Sequence, residues 1–156
     1  MSLEGNKPTA VEKGYQKYAW VIFLVNGLAF ALAGLIEFFA PDSEASGDYA
    51  LFASSNAWSQ LQASNPQAVE FIHWLTQEWG GAQILGAVLV IAISLTAYRR
   101  GEKWAWYVMW MLPVAWGLTA YMIGSWGGGL LPLSLAFLVL SLIGLFLPYR
   151  KFFPRK

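Results

Sequence analysis

Four apolar segments, separated by polar ones, form the pattern of hydrophobic and polar positions along the chain. They cover residues 19–40, 80–98, 104–123 and 130–147, to within a residue or two. A bilayer core about 30 Å thick is crossed by about 20 helical residues, which is close to the length of each segment. Pro41 and Pro148 end helices after the first and fourth segments, and Pro113 predicts a kink in the third. The pattern therefore predicts an all-α integral membrane protein, an up-and-down four-helix transmembrane bundle in a single domain.

The polar segment 41–79 is too long for a structureless connection and is expected to be partly helical. Asn65 is a suitable N-cap, and Pro66 suits the first position of a helix. The residues after Pro66 mix apolar and polar side chains as an amphipathic helix does, so we expect a helix at the extracytoplasmic interface. It would enter the second span through the flexible pair Gly80 and Gly81. A weaker helical turn is expected within 49–62.

The charged residues are few and are sorted along the chain. Only 12% of the residues are charged, about half of the roughly 25% typical of soluble domains, which argues against a soluble fold. Every Lys and Arg precedes the first span, lies between the second and third, or follows the fourth, whereas 41–79 carries acids only. Positive residues beside short loops stay in the cytoplasm. We therefore expect a multi-pass protein of the cell membrane with both termini cytoplasmic and the acidic loop outside.

Several classes of chemistry lack the residues they require. The chain has no Cys and one His, so thiolate metal sites and disulfides are excluded and we expect no metal and no cofactor. Glu70 and His73 have the Glu-x-x-His spacing of carboxylate-bridged metal sites, but such sites need a second copy. The glycines at 127–129 are not followed by the Lys of a phosphate-binding loop, and nothing in the sequence suggests nucleic acid.

Polar residues inside the spans are the candidates for a site. Glu37 is the only ionisable residue within a span, and such a residue is costly enough in hydrocarbon to suggest function. Asn26 lies eleven residues before Glu37 and therefore on the same helix face. If the polar residues of the four spans converge, they line a recess beneath the helix that carries His73 and Glu78. The candidate ligand-binding residues are Asn26, Glu37, Gln83, Trp116, Tyr121 and Ser134. Hydrogen bonds between helices, and simple packing of Trp116, would produce the same pattern without a ligand.

The spans also resemble a known family. The first span ends in AGLIEFFAP (33–41), and the second begins the Gly-rich stretch GGAQILGAVLVIAISLTAYRRGEKWAWY (80–107). Together with four short spans and two inside termini, these stretches resemble the DoxX-like family of small four-span membrane proteins. The resemblance covers the spans and not the segment 41–79. It implies a four-helix bundle and, as in some members, a link to quinone-coupled redox chemistry, although no redox residue here carries that activity over.

Three functions are consistent with these residues. The first is binding of a lipid or small apolar ligand, or docking with a partner membrane subunit or a second copy of the chain, in contact with membrane lipids. The second is a small membrane enzyme, an isomerase or quinone-linked redox accessory subunit, with Glu37 and His73 as catalytic acid and base. The third is a dimeric small-solute transporter, although no cation lies within a span and no internal repeat is evident.

The distribution of charged residues predicts a membrane topology that can be tested directly. Reporter domains fused after the C-terminus and inserted near residue 55 should report cytoplasmic and extracytoplasmic locations, respectively. A reporter of the opposite compartment at the C-terminus would contradict the predicted orientation. Replacing Arg99 and Arg100 by Gln should weaken the bias without changing the number of spans.

Overall fold

The computed structural model describes residues 14–52, 57–126 and 131–154, and in these ranges the chain is helical with short turns between helices. The π-helical turn Ser94–Tyr98 continues α5 without a break. The helices are α1 (Gly14–Tyr18), α2 (Trp20–Phe39), α3 (Pro41–Phe52), α4 (Ala57–Ser64), α5 (Pro66–Ile93), α6 (Lys103–Val108), α7 (Met111–Trp126), α8 (Leu131–Phe146) and α9 (Tyr149–Phe152). The all-helical class predicted from the sequence is confirmed for this part of the chain.

Three helical stretches are long and apolar enough to cross a membrane. They are Gln16–Phe39, Pro66–Tyr98 and Lys103–Ser125. α8 is apolar but shorter, with 16 described residues and a length of about 24 Å. Many large apolar side chains of these helices are exposed, including Leu32, Leu85 and Leu118. Such an apolar exterior is unusual in water and suits a lipid environment.

The expected helix after Asn65 is present, but it does not hinge at Gly80 and Gly81. The Asn65 side chain accepts a hydrogen bond from the Ala68 N–H (3.1 Å), and Pro66 occupies the first helical position. From there α5 runs unbroken for 28 residues into the π-helical turn. Gly80 is buried because it lies against α2. This glycine therefore allows close packing of the two helices and does not act as a flexible hinge.

α2 and α5 touch through their backbones. A Cβ atom on Gly34 would lie 2.8 Å from the Gly80 carbonyl oxygen, and one on Gly80 would lie 2.7 Å from the Gly34 carbonyl oxygen. Further along the same interface, Gly27 lies against the Ile91 side chain, whose Cγ1 would be 2.7 Å from a Cβ at that position. Small residues that permit such approaches are a principal means of packing helices in membranes. α2 also packs on α8, and α8 packs on α7, so α2 lies at the centre of the bundle.

Pro113 breaks the third apolar segment one turn earlier than its own position. The ring nitrogen cannot donate to the carbonyl of Met109, four residues before it. The chain turns at Met109 and Trp110, between α6 and α7, and the Met109 carbonyl accepts instead from the Leu112 N–H (3.2 Å). The predicted kink is therefore present as a break whose lost hydrogen bond has been replaced.

Pro148 also leaves a carbonyl without its helical donor at the end of α8, and side chains from other helices donate to the carbonyls there. Pro148 cannot donate to the Gly144 carbonyl. That buried oxygen accepts from the Tyr98 hydroxyl (2.6 Å), and the Leu145 carbonyl accepts from Trp106 Nε1 (3.0 Å). Tyr98 comes from the π-helical turn, so α5, α6 and α8 are joined at this end of the bundle. Phe23 and Phe152 complete the packing around Tyr98.

The described cations cluster at this same end, which we call the basic end. The Arg99 guanidinium lies over the Trp20 ring at 5.3 Å, and Lys151 Nζ donates to the Arg99 carbonyl (3.0 Å). Arg100 pairs with Glu102 (2.7 Å). Hydrogen bonds from Trp104 Nε1 and then Arg100 lower the pKa of the Glu102 carboxyl.

The opposite end carries a helical cap, which we define as α3, α4 and residues 66–79 of α5. Ala45, Trp58 and Val69 form its small buried core, with Tyr49, Leu61 and Ile72 packed around it. The helix expected within 49–62 is present as the end of α3 and most of α4, while 53–56 lie outside the described residues. All charged residues of the segment 41–79 are acidic, so we call this the acidic end.

The backbone contact between α2 and α5 predicts a large difference between two glycines of one helix. Gly80→Ala should lower the free energy of unfolding by about 1–3 kcal/mol, because its methyl group would overlap the Gly34 carbonyl. Gly86→Ala is the matched control, since a Cβ there meets nothing within 4 Å and should leave stability unchanged or slightly higher. SDS titration in mixed micelles, followed by circular dichroism, measures both. Equal effects of the two substitutions would contradict the packing described.

Candidate functional site

Glu37 and Gln83, which we call the carboxylate–amide pair, meet between α2 and α5. Gln83 Nε2 lies 2.6 Å from both Oε1 and Oε2 of Glu37. Helical side chains tilt toward the N-terminus of their own helix, and α2 and α5 are antiparallel, so these two side chains lean toward each other. The Gly34 and Gly80 contact brings the helices close enough for the bond. Both side chains remain partly exposed.

The surroundings of the pair are apolar on the bundle surface and acidic above it. Ile36 and Phe38, the neighbours of Glu37 along α2, are exposed. The Gln77 side chain donates to the Phe38 carbonyl (3.2 Å), so α5 also satisfies the C-terminal end of α2. In the cap, partial burial raises the pKa of Glu44, and the Asp48 carboxylate one turn along α3 raises it further.

Asn26 lies in a second cluster, with Trp116 and Ser141, in the interior of the bundle. Asn26 is 0% exposed, and its Oδ1 accepts from Trp116 Nε1 (3.2 Å) and lies 3.4 Å from Ser141 Oγ, which also contacts the Phe137 carbonyl (2.7 Å). Its Nδ2 donates to the Ile22 carbonyl (2.9 Å). The Trp116 ring stacks on Phe137, with centroids 4.8 Å apart. This Asn26 cluster therefore links α2, α7 and α8 through groups that satisfy one another.

The six candidate ligand-binding residues are thus divided. Eleven residues, or about 16 Å of helix, separate Asn26 from Glu37 along α2. Ser134 is 3% exposed on α8, whereas Tyr121 is 77% exposed on α7 and faces away from the bundle. The structure therefore brings Glu37 to Gln83 and Asn26 to Trp116, and it leaves Tyr121 outside both groups.

His73 contacts Asp42, a partner that sequence reasoning missed. His73 Nε2 lies 3.1 Å from Asp42 Oδ1, which also accepts from Trp58 Nε1 (3.2 Å) and Gln62 Nε2 (3.1 Å). One carboxylate oxygen thereby ties α3, α4 and α5 together. Asp42 follows the helix-starting Pro41, and that position signals only a helix N-terminus, so its distant partners had no sequence signal. His73 and Glu37, the two candidate catalytic residues, belong to separate clusters.

Metal ligation finds no support in the side chains that the structure describes. Within 14–52, 57–126 and 131–154, no group of three or more His, Asp or Glu could hold an ion. Glu70, the partner of His73 in the Glu-x-x-His spacing, is exposed. The residues that contact His73 are those of the cap hydrogen-bond network instead.

Comparison of the chain with protein-family models, with curated proteins and with solved structures finds no match.

The Asn26 cluster predicts an energetic coupling between two residues that are distant in sequence. In a double-mutant cycle, Asn26→Leu and Trp116→Phe should couple by about 0.6 kcal/mol, the mean for hydrogen bonds between membrane helices. Phenylalanine keeps an aromatic ring next to Phe137 and removes the N–H donor together with part of the indole, and the cycle cancels the loss of packing that does not involve Asn26. The control cycle pairs Asn26→Leu with Trp110→Phe, and it should show no coupling. SDS unfolding in mixed micelles gives the energies, and additive effects in both cycles would contradict the hydrogen bond.

Proposed function

We propose that the chain is a multi-pass protein of the cell membrane in which α2, α5, the pair α6 and α7, and α8 cross the bilayer as a four-helix bundle. In this proposal both termini are cytoplasmic and the acidic cap lies outside. The separation of a basic from an acidic end supports the orientation. The resemblance to the DoxX-like family is consistent with the same arrangement.

The depth of α8 supports its role as the fourth span. Ser141 of α8 meets Asn26 in the middle of α2, and Gly144 packs against Phe23 near the start of α2. α8 therefore runs beside a candidate span at the same depth. Its described length of about 24 Å covers most of a hydrocarbon core about 30 Å thick, and membrane thinning accommodates a short helix at modest cost.

We propose that the protein binds a lipid or another small apolar ligand with a polar head at the carboxylate–amide pair. One observation carries this proposal: Glu37 and Gln83 form a partly exposed polar pair in an apolar surface, near the acidic end of the bundle. A hydrogen-bonding head group would replace or join the Gln83 contact, while its tail would lie along the apolar surface that the adjoining helices expose. A partner subunit docking on this face would use the same groups.

Retention of a bound molecule tests the proposal. The protein, extracted with its native lipid and then washed with detergent, is examined by mass spectrometry for a retained lipid, sterol or quinone. Glu37→Gln and Gln83→Leu should reduce the retained amount about tenfold, the effect of losing one hydrogen bond to a charged group. Glu70→Gln, at an exposed carboxylate of α5, should retain the wild-type amount. Equal amounts in all four proteins would contradict a ligand site at the pair.

A second candidate function, a small membrane enzyme, is favoured by the contact of Asp42 with His73. A carboxylate that holds an imidazole fixes its orientation and its tautomer, as acid–base catalysis requires. In this alternative the retained molecule would be converted to a product of different mass or retention time on incubation. His73→Ala should then abolish conversion and leave retention intact, whereas Glu37→Gln should affect both.

A further inference from the structure

Among the residues that the structure describes, none covers one face of α5, and this holds along its whole length, including the part within the cap. The covered face holds Val69, Gly80 and Ala87, which pack against α3, α4 and α2. The opposite face is exposed from the cap to the basic end, at Phe71, Trp74, Leu75, Glu78, Leu85 and Leu89. Contact with lipid tails explains the exposure of the leucines toward the basic end. The exposed aromatic residues within the cap need a different explanation.

The length of α2 fixes where the uncovered face leaves the hydrocarbon. α2 has 20 residues and a length of about 30 Å, which matches the hydrocarbon core and puts its end at the outer boundary. Gln77 bonds to the Phe38 carbonyl, so α5 crosses the boundary near Gln77. Trp74 and Phe71 then lie about 4 and 9 Å above it, within the headgroup layer. Beyond Phe71 the exposed residues turn polar, at Gln67 and Asn65.

These residues have the chemistry that recognises an organic cation. The Phe71 and Trp74 rings stack with centroids 5.9 Å apart, and the side chains are 58% and 54% exposed. Glu78 lies one turn closer to the membrane, and the tilt of helical side chains directs its carboxylate toward Trp74. An aromatic face beside a carboxylate binds ammonium groups. The segment 41–79 carries no Lys or Arg, so an anionic headgroup would meet unbalanced negative charge there.

We propose that Phe71, Trp74 and Glu78 bind the ammonium group of a zwitterionic phospholipid in the outer leaflet. The headgroup layer supplies that cation at the depth where the aromatic residues are exposed. This inference rests on the membrane orientation proposed above, and its site differs from the carboxylate–amide pair, which lies on the covered side of α5. The lipid would hold the cap against the membrane surface.

Lipid selection in bilayers of known composition tests the site. The full-length protein is placed in nanodiscs of equal amounts of phosphatidylethanolamine and phosphatidylglycerol, and retained lipids are counted by native mass spectrometry. Because we expect the basic end to retain phosphatidylglycerol equally in every variant, the readout is the ratio of the two lipids relative to wild type. Glu78→Gln and Trp74→Leu should lower this ratio roughly two- to fivefold, the range for a cation–π contact at an exposed site. Phosphatidylcholine in place of phosphatidylethanolamine should give the same result.

Two matched controls separate a headgroup site from general membrane anchoring. Asp48→Asn removes an exposed cap carboxylate on α3, which packs on the opposite face of α5, and Trp79→Leu removes an exposed aromatic residue at the same boundary. Both should keep the wild-type ratio. An unchanged ratio in Glu78→Gln and Trp74→Leu, or an equal fall in the controls, overturns the inference. So does a change of oligomeric mass in Trp74→Leu by light scattering, since a second copy would then cover this face.

The same variants distinguish this inference from the proposed function. Glu37→Gln should lose the retained amphiphile and keep the headgroup ratio, whereas Glu78→Gln should do the reverse. If the first effect fails and the second is found, the ligand site at the pair is wrong and the headgroup site stands.

Discussion

The backbone contact between α2 and α5 at Gly34 and Gly80 is the constraint on which the rest of the structure depends. Each carbonyl oxygen occupies the space that a Cβ on the other glycine would need. This approach brings Glu37 to Gln83, holds α5 straight through Gly80 and Gly81, and carries the upper part of α5 beyond the end of α2. The cap is then built on that projecting end. A larger residue at either position would separate the helices and remove the carboxylate–amide pair.

The second requirement is that buried backbone groups find partners where lipid offers none. Pro113 and Pro148 each deprive a carbonyl of its helical donor, and both deficits are met inside the chain. The Leu112 N–H donates to the Met109 carbonyl, and the Tyr98 hydroxyl donates to the Gly144 carbonyl. The π-helical turn places Tyr98 for this bond, so an irregularity in α5 compensates for one at the end of α8. The bundle is therefore joined by polar contacts at the basic end and by glycine packing at the acidic end.

The polar side chains in the bundle differ in their burial and in how completely they are hydrogen-bonded to one another. The Asn26 cluster is buried and internally satisfied, which is the property of a structural link between helices. The carboxylate–amide pair is partly exposed and holds a carboxylate whose described hydrogen-bond partner is a single amide. That difference is the reason for placing a ligand at Glu37 and not at Asn26. In the proposed orientation, the exposed aromatic residues of α5 extend the same acidic end into the headgroup layer.

The sequence by itself determined the helical class, the apolar segments, the cap on α5 at Asn65 and Pro66, and the separation of charges, because each depends on local composition or on neighbours within a few residues. It also marked Glu37, since an acid in an apolar run is visible without a structure. Only the tertiary structure decided that Gly80 is a packing contact, that Gln83 and not Tyr121 meets Glu37, and that Asp42 holds His73. Those outcomes depend on the rotation and depth of each helix against its neighbours. Periodicity assigns a residue to a face of its helix, and only packing decides what that face touches.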